Sequence, residues 1–86
     1  MPSIRFFYED VDFKITHPRK TQSWLKTVLQ AENKRLITLN YIFCSDDYLL
    51  AINIQYLNHN TYTDIITFDG SEQPDSIEGD IYISID

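Results

Sequence analysis

The segment 36–44 most constrains the fold, because apolar side chains occur on both of its faces. The alternating apolar side chains of one face are Ile37, Leu39, Tyr41 and Phe43. Leu36, Ile42 and Cys44 make the other face partly apolar as well. A strand of this kind is typical of the interior of a sheet that is covered on both sides. We therefore expect an interior β-strand at 36–44.

The segments before this strand predict one strand and one helix. Residues 4–8 are mostly β-branched or aromatic and predict a first strand. The alternation at 11–15 would allow a second strand that forms a hairpin with the first. Pro18 suits the first position of a helix, which we expect at about 18–33. The apolar residues of that helix recur at helical spacing, at Trp24, Leu25, Val28 and Leu29.

A second helix is expected directly after the interior strand. Ser45 is a good N-cap, and Asp46 and Asp47 place negative charge at the positive end of the helix dipole. Two further strands are expected at 65–68 and 81–85, separated by a polar loop at 69–78. The expected product is one domain, residues 1–86, of the α/β (α+β) class, with a mixed sheet of about four strands and two helices.

The charges are divided unevenly along the chain. All seven basic residues lie in the first 35 positions, whereas 36–86 holds nine acidic residues and no Lys or Arg, so this stretch carries −9. Because RNA affinity depends largely on Lys and Arg, we expect little nucleic-acid binding by this chain alone. The acidic stretch also leaves open a stand-alone interaction module that binds a basic protein, such as a ribosomal one.

The sequence predicts a cytoplasmic protein without a membrane partner. No apolar run approaches the length of a bilayer span, and the N-terminus lacks the pattern of a signal peptide. Cys44 is the single cysteine, so no intrachain disulfide can form.

Candidate catalytic and metal-binding residues are few, and we expect no metal ligand and no catalytic residue in this chain. His17, Cys44 and His59 are spaced unlike any local zinc motif. We expect His17 at a helix start, His59 in a polar turn and Cys44 as a small buried hydrophobe. The acidic loop 69–78 does not fit a calcium-binding EF-hand, because its glycine is second and its proline is sixth.

The acidic residues leave one further alternative open. Asp64, Asp69 and Asp80 would form a carboxylate-based, metal-dependent nuclease site if they converged on a divalent cation. The simpler interpretation is that these carboxylates accept hydrogen bonds at strand ends.

Four blocks of the second half carry a family resemblance. They are Ser45–Leu50 followed by Asn53, Tyr56–Asn58, Thr63–Phe68, and Gly79–Ser84. In order and spacing these blocks resemble the YbeY family, well over 45–86 and only in layout over 1–44. The resemblance implies a zincin-like fold and a metal-dependent endoribonuclease that cuts single-stranded RNA, matures ribosomal RNA and assists ribosome quality control.

The resemblance also implies where the catalytic metal binds. Zinc is held by three histidines in an H-G-x-L-H-L-x-G-Y-D-H segment after the Gly-Asp-Ile strand, and the 86 residues do not contain that segment. We therefore expect an N-terminal portion of a longer protein, inactive by itself. For the full-length protein we expect zinc as cofactor and RNA and the ribosome as partners. Because the two helices do not suffice to cover the sheet, we also expect this portion to self-associate through exposed apolar surface.

The residues that the resemblance places near the substrate cleft are Thr63, Asp64, Thr67 and Asp80. Many family members have an aromatic–Arg pair directly after Leu-Asn, but residues 59–62 here read His-Asn-Thr-Tyr. The chain therefore lacks the arginine that the resemblance implies for RNA contact at this loop.

Overall fold

The computed structural model describes residues 2–71 and 73–86. Its elements are β1 (Ser3–Tyr8), α1 (Pro18–Ala31), β2 (Arg35–Cys44), α2 (Asp46–Leu57), β3 (Ile65–Asp69) and β4 (Ser76–Ser84). The strands form one sheet in the order β1-β2-β4-β3, in which β1, β2 and β4 are parallel and β3 is antiparallel to β4. The predicted mixed sheet of four strands with two helices is confirmed. Among the described residues, no helix is long and apolar enough to cross a membrane.

Strand β2 lies inside the sheet, as its two apolar faces predict. It pairs with β1 on one side and β4 on the other, so that Asn40 lies beside Arg5 and also beside Asp80. The ring of Tyr8 stacks on that of Phe43 with centroids 5.6 Å apart. These cross-strand contacts between side chains of one face stabilise the parallel pairing.

The hairpin that the alternation at 11–15 suggests does not form, and residues 9–17 make an irregular connection without a strand. Residues of this segment instead pack against the sheet and bond to it. The Phe13 ring packs 5.3 Å from the Phe43 ring, and the backbone N–H of Ile15 donates to the Tyr8 hydroxyl at 3.2 Å. Since β1 pairs in parallel with β2, this connection leads to a helix instead of an adjacent antiparallel strand.

Helix α1 ends two residues before the predicted limit, and its expected apolar face is only half correct. Leu25 and Leu29 are half-buried, but Trp24 is 64% exposed and no residue of α1 is buried. A polar contact helps to position the helix, because the Gln22 amide donates to the carbonyl of Ile4 at 2.8 Å. Helix α1 thus packs loosely on β1 and β2.

Strand β4 begins five residues before the predicted start at 81, inside the segment expected to be a polar loop. Arg35 and Leu36 of β2 pair with Ser76 and Ile77, which extends the ladder into this segment. The polar run at 78–80 looked like loop sequence, yet it lies between β2 and β3. The ladder on both sides satisfies its backbone groups.

The buried core lies between α2 and one face of the sheet. The cluster at this position contains Cys44, Leu49, Ile52 and Ile66. The thiol-bearing side chain of Cys44 is fully buried, which confirms the small hydrophobe expected from the sequence. On the opposite face, Ile4, Leu39 and Phe43 are buried beside β1, whereas toward the β3 edge Ile81 and Ile83 are only half-buried and Ile65 is 51% exposed. The two faces of the sheet are therefore covered unequally.

Candidate functional site

Helix α2 has the start that its sequence predicts. The Ser45 hydroxyl accepts a hydrogen bond from the backbone N–H of Tyr48 at 3.1 Å, and Asp46 and Asp47 occupy the first turn. The helix ends at Asn58, whose left-handed backbone (φ 54°) turns the chain away from the helix axis. This turn directs the loop 58–63 back along α2.

Asn53 fixes that loop, a role that the sequence did not reveal. Its side chain is 4% exposed, and its amide donates to the carbonyl of Thr61 at 2.8 Å. The carbonyl of Asn53 accepts the backbone N–H of His59 at 3.1 Å. The sequence signal for this role is an asparagine between Ile52 and Ile54 of an apolar helix. A buried amide at such a position needs a hydrogen-bond partner, because an unpaired one would be costly.

A cleft of about 360 Å³ opens where α2, the loop 58–63 and β3 meet. Helix α2 contributes Asn53 and Leu57. The loop and strand contribute His59, Thr61, Tyr62, Thr63, Ile65, Ile66 and Thr67. The lining therefore combines hydroxyls, amides and apolar side chains but no Lys or Arg, and its surface suits a partly polar ligand.

Two of the four predicted cleft residues lie in this cleft. Thr63 is half-buried, and its hydroxyl donates to the carbonyl of Ile65 at 3.4 Å. Thr67 is exposed on β3. Asp64 is exposed, and its carbonyl accepts the backbone N–H of Ser84 at 2.9 Å. Asp64 therefore lies beside the cleft lining and is not part of it.

Asp80 is not among the residues that line the cleft. It pairs with Phe68 across the ladder, whereas Thr67 pairs with Ile81, so the side chains of Asp80 and Thr67 point to opposite faces of the sheet. The Asp80 carboxylate accepts a hydrogen bond from the Asn40 amide at 2.9 Å. The side-chain oxygen Oδ1 of Asn40 is buried without a hydrogen-bond partner among the described residues. Within these 86 residues, the Asp80 carboxylate links β4 to β2 through its hydrogen bond with Asn40.

The sheet keeps Asp64, Asp69 and Asp80 apart. Asp69 pairs with Gly79 and shares its face with Thr67, on the other side of the sheet from Asp80. Asp64 lies opposite Ser84, roughly 13 Å along β4 from Asp80 at the usual rise of a strand. Across residues 2–71 and 73–86, no three His, Cys, Asp or Glu side chains are grouped to hold a metal ion. This geometry does not favour the carboxylate-based nuclease.

The imidazoles and the thiol occupy the separate positions that the sequence predicts. His17 directly precedes α1 without a side-chain cap bond, and His59 is exposed after α2. Burial, with the nearby carboxylates of Asp10 and Asp86, raises the pKa of the Cys44 thiol to about 11. Cys44 is therefore a protonated thiol near neutral pH and a poor nucleophile.

Carboxylates also gather at the N-terminus of α2, where they act as caps. The Asp10 carboxylate accepts the backbone N–H of Ser45 at 3.0 Å and the Ser45 hydroxyl. The Asp86 carboxylate accepts the backbone N–H of Asp46 at 2.8 Å, and the Ser84 hydroxyl donates to the Asp46 carboxylate. These contacts tie the ends of β1, β2 and β4 to one helix start, where negative charge is favourable.

The fold and the cleft define a mixed α/β protein with a polar cleft beside an edge strand. The chain belongs to the YbeY family, because the family model described as Endoribonuclease YbeY matches residues 6–86. The resemblance noted in the sequence is thereby confirmed. The match also includes most of the first 44 residues, where the sequence had shown agreement in layout only.

Curated relatives named Endoribonuclease YbeY support this assignment. The chain is 50% identical over 84 residues to that of Cytophaga hutchinsonii, covering 98% of this chain and 59% of the relative. It is 53% identical over 83 residues to that of Flavobacterium psychrophilum, covering 96% of this chain and 58% of the relative. It is 48% identical over 84 residues to that of Amoebophilus asiaticus, covering 98% of this chain and 57% of the relative. The chain thus spans somewhat less than three-fifths of the length of these relatives.

Proposed function

We propose that these 86 residues are part of a YbeY-type endoribonuclease that cuts single-stranded ribosomal RNA during its maturation and in ribosome quality control. The family match over residues 6–86 carries this proposal. The relatives of 50% and 53% identity bear the name of an endoribonuclease, which is the activity proposed for the full-length protein. We place the protein in the cytoplasm, in contact with RNA and the ribosome.

The residues of this chain do not fit the zinc ion that the family implies. Structural and catalytic zinc sites need three or four nitrogen, sulfur or oxygen ligands directed at one point. The described residues contain no such group, and the Cys44 thiol is protonated and buried. In this proposal, zinc binds to the three-histidine segment of the family pattern, which these 86 residues do not contain. The 86 residues are inactive without it.

The contribution of this chain is the scaffold and one wall of a substrate cleft. Thr63 and Thr67 are among the residues that line the cleft, and threonine hydroxyls can donate to or accept from RNA sugars and bases. Asn53 holds the loop that carries Thr63 through its bond to the Thr61 carbonyl. Because the lining has no Lys or Arg, the attraction for phosphates must come from other parts of the full-length protein.

A chimera tests this proposal directly. Residues 1–86 replace the matching segment of the Cytophaga hutchinsonii relative, and cleavage of a labelled single-stranded ribosomal RNA fragment is measured. We expect the chimera to bind one zinc ion and to cut the RNA, since the segment retains the family scaffold. The matched control is the 86-residue chain alone, for which we expect no cleavage. A folded, zinc-loaded chimera that leaves the RNA intact would contradict the proposal.

The same assay also tests the two alternatives that the sequence analysis left open, a carboxylate-based nuclease and an acidic interaction module. A carboxylate-based nuclease requires cleavage by the 86-residue chain with Mg²⁺ or Mn²⁺, and that activity should vanish in Asp64→Asn or Asp80→Asn. The geometry of these carboxylates on the sheet does not support such activity. A stand-alone acidic module predicts a chimera that folds without catalytic activity. The family match favours the endoribonuclease over both.

A further inference from the structure

Strand β3 is the outer strand of the sheet, so one of its sides pairs with no other strand among the described residues. On the paired side, the N–H of Ser84 donates to the Asp64 carbonyl at 2.9 Å, and the N–H of Gly70 donates to the Glu78 carbonyl at 2.8 Å. In an antiparallel ladder, such pairs alternate with pairs whose backbone groups point outward. The N–H and C=O groups of Ile65, Thr67 and Asp69 therefore point away from β4.

This free edge has no lysine, proline or bulge, which are three of the devices that usually protect an edge strand. Natural edges are often blocked by Lys, Pro, a bulge or a covering segment. The sequence of β3 is Ile-Ile-Thr-Phe-Asp, and its ladder with β4 runs without a register shift. The Thr63 hydroxyl forms a long bond of 3.4 Å with the Ile65 carbonyl, which leaves the outward N–H groups available.

The cleft beside the edge offers apolar contacts for the side chains of an added strand. Leu57, Tyr62 and Ile65 line it and are 42%, 64% and 51% exposed. Single exposed apolar residues are common on protein surfaces, but three around one cleft form an anchoring site. An extended peptide that pairs with a sheet edge gains affinity from its backbone and specificity from such pockets.

The charge around the edge selects a basic partner. Asp64 and Asp69 are exposed at the two ends of β3, and no Lys or Arg occurs from residue 36 to 86. Hydrogen bonds from the side chain and backbone of Ser71 hold the pKa of Asp69 below its usual range, which keeps this carboxylate ionised. A second copy of the chain would bring the same carboxylates to the edge, so repulsion opposes pairing between copies.

We propose that the free edge of β3 binds an extended segment of a protein partner as an added β-strand, and that this segment alternates apolar residues with Lys or Arg. The backbone groups of Ile65, Thr67 and Asp69 supply the hydrogen bonds, and Asp64 and Asp69 supply the charge complement.

Hydrogen exchange on the unmodified chain tests the proposal. The probe is a peptide of about seven residues that alternates Val and Lys, with a peptide that alternates Val and Glu as its control. We expect the Val-Lys peptide to slow amide exchange at Ile65, Thr67 and Asp69 roughly tenfold or more, because those amides become hydrogen-bonded. Exchange at Ile66 and Phe68 should change little, since their amides already face β4. Unchanged exchange at the three outward amides, or equal protection by the Val-Glu peptide, would overturn the proposal.

Matched variants of Thr67 isolate the outward N–H group. Thr67→Pro removes that group without removing a bond to β4, and an edge strand tolerates proline at such a position. We expect Thr67→Pro to weaken peptide binding by roughly tenfold or more, and Thr67→Val to leave it within about twofold. Equal affinity of a folded Thr67→Pro variant and the unmodified chain would overturn the proposal.

The charge contribution has its own test. Exchanging both flanking carboxylates, Asp64→Asn with Asp69→Asn, should weaken binding roughly three- to tenfold at low salt and less at high salt, because exposed charges are screened. If the three outward amides become protected at rising protein concentration without peptide, the edge pairs with a second copy, and the basic-partner proposal is wrong.

Discussion

Gly79 of β4 and Phe68 of β3 approach so closely that a Cβ atom at position 79 would overlap the Phe68 carbonyl oxygen. The same Cβ would lie 3.3 Å from the Cα of Asp69, so the adjoining backbone of β3 is crowded as well. Any side chain at position 79 must therefore displace β3 from β4. This contact gives a physical reason for glycine in the Gly-Asp-Ile block of this chain.

We predict that Gly79→Ala destabilises the fold by at least about 2 kcal/mol, because a backbone atom cannot move aside as a flexible side chain can. Gly70→Ala is the matched control, since its Cβ would meet only the Glu78 carbonyl at 3.6 Å. The control should change stability by about 1 kcal/mol or less. Urea unfolding of both variants measures the difference, and equal midpoints would refute the steric explanation.

Asn53→Leu should loosen the loop 58–63. The substitution removes the donor to the Thr61 carbonyl and leaves that carbonyl without its partner, which we expect to cost about 1–3 kcal/mol. Gln55→Leu, at an exposed position of the same helix, should change stability by about 0.5 kcal/mol or less. Thermal unfolding and limited proteolysis of the loop measure the two effects. Equal protease resistance in both variants would show that Asn53 does not hold the loop.

Stability should fall in alkaline solution partly because of Cys44. Its pKa is raised from 9.0 to about 11 in the folded chain, so between these values the folded state retains a proton that the unfolded state releases. The proton balance makes the free energy of unfolding decrease as pH rises through this window. Cys44→Ala should be less stable at pH 7 because it leaves a cavity, yet its stability should decline less steeply from pH 9 to pH 11. Parallel slopes for the two proteins would contradict the raised pKa.

The 86-residue chain should bind no zinc stoichiometrically near neutral pH. Its imidazoles and thiol are spread along the chain, whereas zinc sites gather three or four ligands at one point. Dialysis against Zn²⁺ followed by elemental analysis measures the bound metal. The chimera described above serves as the positive control. One zinc per chain that is lost on His59→Ala would refute this prediction.

The chain should bind an apolar dye and self-associate at high concentration through its exposed apolar side chains. Trp24 is 64% exposed on α1, and Tyr56 is 63% exposed on α2. Association driven by apolar surface should strengthen with kosmotropic salt, decrease on Trp24→Gln and persist in Thr67→Pro. Sedimentation equilibrium with and without sulfate measures it. A monomer at every concentration, with no dye bound, would refute the prediction.

Local patterns in the sequence determined most of the elements and their order. The two apolar faces of residues 36–44 predict an interior strand, and Ser45 with two aspartates predicts the start of α2, because these signals depend on nearby residues alone. The family blocks over 45–86 likewise identified the family that the comparisons confirm. In contrast, the alternation at 11–15 suggested a strand, but Phe13 packs against Tyr8 and Phe43 from an irregular segment.

Tertiary structure decided the features that depend on pairing between distant segments. The polar residues Glu78 and Asp80 belong to a strand only because β2 and β3 satisfy their backbone groups from both sides. The same register places Thr67 and Asp80 on opposite faces of the sheet, and it places Asp69 on the face away from Asp80. The register of the ladder decides which residues share a face of the sheet. A shift of β3 by one residue would move each of its side chains to the opposite face. Composition and periodicity set what each segment can form, whereas only the assembled sheet sets which side chains meet.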